Sequence, residues 1–252
     1  MRPSWVEVDL DAITANVAAI QAEVAPALVC AVVKADAYGH GDVPAAEAAL
    51  AGGAQWLAVA LVEEGRRLRE AGITAPILVL SEPEVSDVAT VVEWDLRPTL
   101  YRQAFAAALA DAAGAAGAVP YPVHVKVNTG MHRVGAEPLE AFPLVRMVAA
   151  DDRLTFEGLW THLAVAEEDR AYTVRQLTAL DQFRSTLDAE GIEVPMVHAA
   201  NTAGALAYPD GRFDLVRVGL GRYGLRPAPG SGPDVALRPA MRVVSQVTLV
   251  RR

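Results

Sequence analysis

Eight short runs rich in apolar and β-branched residues recur along the chain, and most are followed by a stretch with helical periodicity. The runs cover residues 28–33, 56–60, 77–80, 96–99, 123–127, 154–161, 194–198 and 213–218. Continuous apolar runs of this length mark strands covered on both faces, as in a parallel sheet. Between them, helical patterns are expected over 44–50, 63–70, 84–92, 101–113, 139–149, 169–190 and 202–206. Gly52 and Gly53 stop the first of these, and Gly114 and Gly117 are expected to break the fourth. An earlier helix carries Ile13, Val17, Ile20 and Val24 at helical spacing, with Asp11 placed to cap it. In the long segment 169–190, Val174, Leu177, Leu180, Phe183 and Leu187 share one face. Eight strands alternating with helices, with no long structureless insert, predict a (β/α)8 TIM barrel, an α/β fold. An open doubly wound sheet is the alternative.

The ends read differently. Residues 5–9 alternate apolar and acidic side chains, as a half-exposed strand does. Residues 226–233 are a loop by composition, and 240–250 alternate like an antiparallel strand, which needs partners to bury its apolar face. Hydrophobic residues make up 52% of the 252, enough for a sizeable core. The net charge of −9 argues against a nucleic-acid partner, so any anionic ligand must be held by local groups. No apolar run approaches a membrane span or a signal region, and a cytoplasmic protein is expected. The single cysteine, Cys30, has no disulfide partner, and the five histidines show no metal-ligand spacing.

The most informative stretch is 28–41, LVCAVVKADAYGHG. A lysine ending a buried strand is costly, because desolvation penalises its ammonium and lowers its pKa. One reason to keep it is imine chemistry, in which a partly desolvated amine attacks an aldehyde at neutral pH. The other reading is that Lys34 only caps the strand, and the stretch alone leaves the two even. Barrels work at the C-terminal ends of their strands, where this chain carries Lys34 and Tyr38, Lys126 and Asn128, His162, His198 with Asn201 and Thr202, and Arg217 with Gly219. Asn201 and Thr202 open a short helix, and Gly219, Leu220 and Gly221 let backbone N–H groups approach an anion. Turn and capping chemistry explains the same residues. Arg217 fits a salt bridge with Asp214, Lys126 a structural ion pair, and Glu63 with Glu64 a solvated helix start. His40 reads as a loop residue.

Ten consecutive residues, VVKADAYGHG, resemble the pyridoxal-phosphate lysine motif of the alanine racemases. The resemblance implies pyridoxal 5′-phosphate as cofactor, bound as an imine to Lys34, with Tyr38, Asn201, Thr202, Gly219 and Leu220 around its phosphate. It further implies that Arg217 faces the ring nitrogen, that His162 packs on the ring, and that Arg133 lies near the substrate carboxylate. Lys126 matches a lysine carbamylated in several members. Asn128 stands where the family usually has aspartate, which bears on the Arg133 loop, and Thr202 where serine is frequent. The implied activity interconverts L- and D-alanine for cell-wall peptidoglycan in a homodimer, with a second acid/base from the partner subunit. Three regions follow: a strand over 1–10, a barrel over 11–225, and over 226–252 the start of a C-terminal β domain that continues outside this sequence. Alternatives are a non-catalytic pyridoxal-phosphate-binding protein, or another amino-acid racemase or decarboxylase on the same barrel.

Overall fold

The computed structural model describes residues 3–227 and 232–251. The expected loop over 226–233 and the outermost ends of the two terminal regions therefore lie partly outside the described residues. Eight parallel strands form one sheet: β2 (Leu28–Val32), β3 (Trp56–Val59), β4 (Ile77–Val79), β5 (Arg97–Leu100), β6 (Tyr121–Lys126), β7 (Leu154–Trp160), β8 (Val197–His198) and β9 (Leu215–Val218). Neighbours follow chain order, and β9 returns to pair with β2. Between β8 and β9, Asp214 N donates to Val197 O and Arg217 N to Ala200 O, which closes the barrel. The expected strand over 194–198 is paired only at its last two residues.

Helices α1 (Leu10–Val24), α3 (Asp42–Ala51), α4 (Val62–Glu70), α5 (Val88–Glu93), α6 (Gln103–Ala116), α7 (Pro138–Ala150), α8 (Arg170–Ala189) and α9 (Thr202–Ala207) surround it. Several local expectations are corrected. Asp9, not Asp11, caps α1, accepting from Ala12 N at 2.9 Å. The helix expected from Pro44 begins at Asp42. Gly114 does not break α6, which runs to Ala116 and ends at Gly117 in the left-handed conformation that glycine adopts without a Cβ clash. On α8 the buried face is Thr173, Gln176, Leu180, Phe183 and Leu187, while Val174 is exposed. Thr173 and Gln176 can be buried because each is satisfied: Thr173 Oγ1 donates to Asp169 O, and Gln176 bridges Ala164 N and His162 O.

Between the barrel and its helices lies the main apolar core; a smaller cluster of Cys30, Val32, Trp56, Ala58, Leu78 and Leu215 fills part of the interior. A separate antiparallel ribbon joins β1 (Ser4–Val8) to β10 (Met241–Ser245), in register from Ser4↔Ser245 to Val8↔Met241. Pairing stops at Ser245, short of the strand expected to Val250. Asn16, fully buried, ties this ribbon's approach to the barrel: its amide donates to Arg222 O and Arg238 O and accepts from Arg238 N.

One segment departs from any propensity. Over α2 (Lys34–Gly39), Ala35, Asp36, Ala37 and Tyr38 all lie at φ between 51° and 55°, a left-handed turn built without glycine at those positions. L-residues pay roughly 1–2 kcal/mol each there. The strain is held by Glu64 Oε1 accepting from Ala35 N (2.7 Å) and by Asp36 Oδ1 accepting from Asp42 N (3.0 Å). Such strain persists where the surroundings over-determine it, which is common at functional sites.

Candidate functional site

The C-terminal ends of the strands open into a cavity of about 510 Å³. Of the residues singled out above, Lys34, Tyr38, Lys126, Arg133, His162, Asn201, Thr202, Arg217, Gly219 and Leu220 line it, while Asn128, His198 and Gly221 stand behind its wall. Lys34 and Lys126 are the only two lysines of the chain, and both are here.

Lys34 follows β2, and its side chain is half-buried. Burial first, then the charge of Arg133, lowers its pKa, against an opposing effect from Glu64. Glu64 therefore is no solvated helix start. It is buried, accepts from Ala60 N and Leu61 N with its second oxygen, and so ties the Lys34 turn to the end of β3. Its partner at Ala35 is 29 residues away in sequence, and no local pattern signals it. His40, likewise no plain loop residue, stacks on Tyr223 at 4.0 Å between ring centroids.

Arg217 on β9 is buried and makes no ion pair with Asp214, whose Oδ2 instead accepts from Val197 N. Its guanidinium donates to Thr161 O (2.7 Å), Ala199 O (2.9 Å), His198 Nδ1 (2.6 Å) and His162 Nδ1 (3.2 Å). Its Nε makes no hydrogen bond among the described residues. Burial lowers its pKa to about 10, which leaves it protonated at neutral pH. Burial also drives His162 and His198 well below the usual histidine range, helped by Arg217, so both are neutral.

Lys126 is no ion-pair residue. It is buried, 4.1 Å over the ring of Trp160, and its charged neighbours Arg217, Arg133 and Lys34 are all cations. Burial and these charges lower its pKa to about 7. Arg133 sits on the exposed rim in the loop after β6. Asn128 shapes that loop without a charge: its Oδ1 accepts from Gly130 N (3.1 Å) and His132 N (3.0 Å).

The opposite wall gathers backbone N–H groups around Thr202. Asn201 caps α9, accepting from Gly204 N, and Thr202 Oγ1 accepts from Gly219 N and Gly221 N over long contacts of 3.2 and 3.3 Å. A Cβ at Gly221 would stand 2.6 Å from Thr202 Cγ2, and one at Gly219 would stand 3.4 Å from the Tyr38 hydroxyl. The left-handed turn is what brings Tyr38 across to Gly219. A residue without a sequence signal, Arg222, is fully buried beside this wall, 4.1 Å over the Tyr223 ring, and its charge acts on Tyr38. A chain of net charge −9 thus concentrates cations at one mouth. An amine of lowered basicity, weakly engaged backbone donors and a donor-only arginine fit a small ring bearing an aldehyde and a phosphate.

Fold and cavity together define a (β/α)8-barrel enzyme with its working groups on the strand ends. The pattern of the family described as alanine racemase, N-terminal domain, matches residues 8–227. Alanine racemase of Symbiobacterium thermophilum is 42% identical over 252 residues, covering 100% of this chain and 67% of that protein. The Desulfovibrio desulfuricans enzyme is 38% identical, covering 100% and 68%. Among solved structures, alanine racemase of Clostridium difficile 630 in complex with cycloserine superposes with a TM-score of 0.93 at 32% identity, covering 99% of this chain and 70% of that one. The Streptomyces coelicolor A3(2) enzyme does so at 0.91 and 35%, covering 99% and 68%. The chain belongs to the alanine racemase family.

Proposed function

We propose that this protein interconverts L- and D-alanine with pyridoxal 5′-phosphate carried on Lys34, working in the cytoplasm as a homodimer and supplying D-alanine for peptidoglycan. The observation that carries this is the meeting of an amine of lowered basicity, Lys34, with Arg217 and the glycine-lined anion cradle in one cavity. When bound, the cofactor supplies an aldehyde that takes up an amine and a ring that acidifies the neighbouring α-carbon. Backbone N–H groups of Thr202, Gly219 and Leu220, with the Tyr38 hydroxyl and Asn201, hold the phosphate. Arg217 donates towards the ring nitrogen and, being unable to accept, keeps it unprotonated. His162, neutral and fixed by Arg217, packs on the ring. Lys34 Nζ, as the free amine, would take the substrate's α-proton from one face, and its lowered pKa favours that unprotonated form. Arg133 orients the substrate carboxylate, and a carbamate on Lys126 would turn a disfavoured cation into an anion beside it. The opposite face would be served by a group of the partner subunit. The ribbon of β1 and β10 supports assigning residues 1–10 and 226–252 to a second, β-rich domain beside a barrel over 11–225.

Incubation with pyridoxal phosphate, borohydride reduction and peptide mapping test this reading. Label on Lys34 alone is expected. With only one other lysine present, label on Lys126 instead would overturn it.

A further inference from the structure

Four side chains are joined through the barrel interior. Arg217 Nη1 lies 2.6 Å from His198 Nδ1, His198 Nε2 lies 3.0 Å from His124 Nδ1, and His124 Nε2 lies 3.1 Å from Glu157 Oε2. Glu157 also meets Arg97 at 3.4 Å, and Arg97 opens β5 at the end of the barrel away from the cavity. Only one proton arrangement satisfies every link. Arginine can only donate, so His198 Nδ1 accepts and its proton sits on Nε2. That proton is donated to His124 Nδ1, which places the His124 proton on Nε2, facing a carboxylate that accepts. Protonating either ring would set N–H against N–H.

The backbone is shaped around this line. Val123 pairs with Phe156 but His124 pairs with Gly158, so Glu157 is an extra residue in a β-bulge, the device that re-aims a side chain. A Cβ at Gly158 would stand 2.5 Å from His124 Nδ1, so the ring fits only because residue 158 is glycine. Trp56 packs edge-on to His124 at 5.4 Å and Trp160 stacks on His198 at 5.4 Å, holding both rings.

We infer that Glu157, His124 and His198 are positioning residues, a one-way hydrogen-bond relay that fixes the guanidinium of Arg217 as an oriented donor at the cavity. The functional half of this inference rests on the reading that Arg217 faces the cofactor ring. Nitrogen-15 spectra of the full chain test the relay itself: both imidazoles are expected neutral with the proton on Nε2, and a charged ring or an Nδ1–H form at either residue would overturn it. His124→Phe and Gly158→Ala, neither of them lining the cavity, are expected to weaken pyridoxal phosphate binding by about tenfold and to shift the visible absorption band of the bound cofactor. Unchanged affinity and band in a folded His124→Phe variant would also overturn it; should that variant not fold, Gly158→Ala carries the same test. If the parent chain takes up no pyridoxal phosphate, the cofactor reading fails, and the tautomers alone then decide the relay.

Discussion

Strands β2, β3 and β4 send Cys30, Val32, Trp56, Ala58 and Leu78 into the barrel, whereas β6, β8 and β9 send His124, Lys126, His198 and Arg217. The strand geometry is the same on both sides, with every second side chain turned inward. The first half is an ordinary core that drives closure. The second removes two cations and two imidazoles from water, close, among the described residues, to no carboxylate except Glu157. Its cost is met by the face of Trp160, with Lys126 at 4.1 Å and Arg217 at 4.5 Å, and by backbone carbonyls. Stability is built on one side and given up for a site on the other.

The largest effect expected from this contrast is at Lys126. Its folded pKa of about 7 lies below the ordinary lysine value of 10.5, so its charge is penalised in the folded state. Well below pH 7, Lys126 is protonated folded and unfolded and the penalty is full. Between about 7 and 10.5 the unfolded chain holds more protons, and stability rises with pH. Lys126→Met removes this group, and is expected to raise stability by about 3 kcal/mol at pH 6.5 and by little at pH 10, as urea midpoints would measure. Equal gains at both pH values would erase the contrast. An intermediate effect belongs to the apolar half. Cys30, its thiol pushed up to about 12 by burial, behaves as a small hydrophobe, and Cys30→Ser buries a hydroxyl among apolar neighbours. A loss of about 1–2 kcal/mol is expected in thermal or urea unfolding. The smallest concerns the cradle. Thr202→Val keeps volume and deletes two long contacts to Gly219 N and Gly221 N, so stability should fall by about 0.5 kcal/mol or less. A loss above about 1.5 kcal/mol in the same urea experiment would mean those contacts are structural and not held ready for an anion.

The barrel was legible because each strand is a local apolar run and each helix a local period. The cavity residues were legible because they stand at strand ends in a recognisable motif. Glu64, His124 and Glu157 were not: their roles depend on partners 29, 74 and 33 residues away, and a buried carboxylate reads like a solvated one until its donors are in place. The left-handed turn over Ala35–Tyr38 is hidden for another reason, since alanine and tyrosine seldom adopt that conformation and aspartate does so only as an isolated residue.

By itself, then, the sequence determined the alternation of strands and helices, the family motif and the list of groups at the mouth, because these follow from side-chain period and residue type. Tertiary structure alone decided that Lys126 is a buried cation with a pKa near 7, that Tyr38 crosses to Gly219, and that Arg217 has a line of imidazoles behind it. Burial, field and hydrogen-bond direction are properties of neighbours in space, and the closed barrel chooses those neighbours.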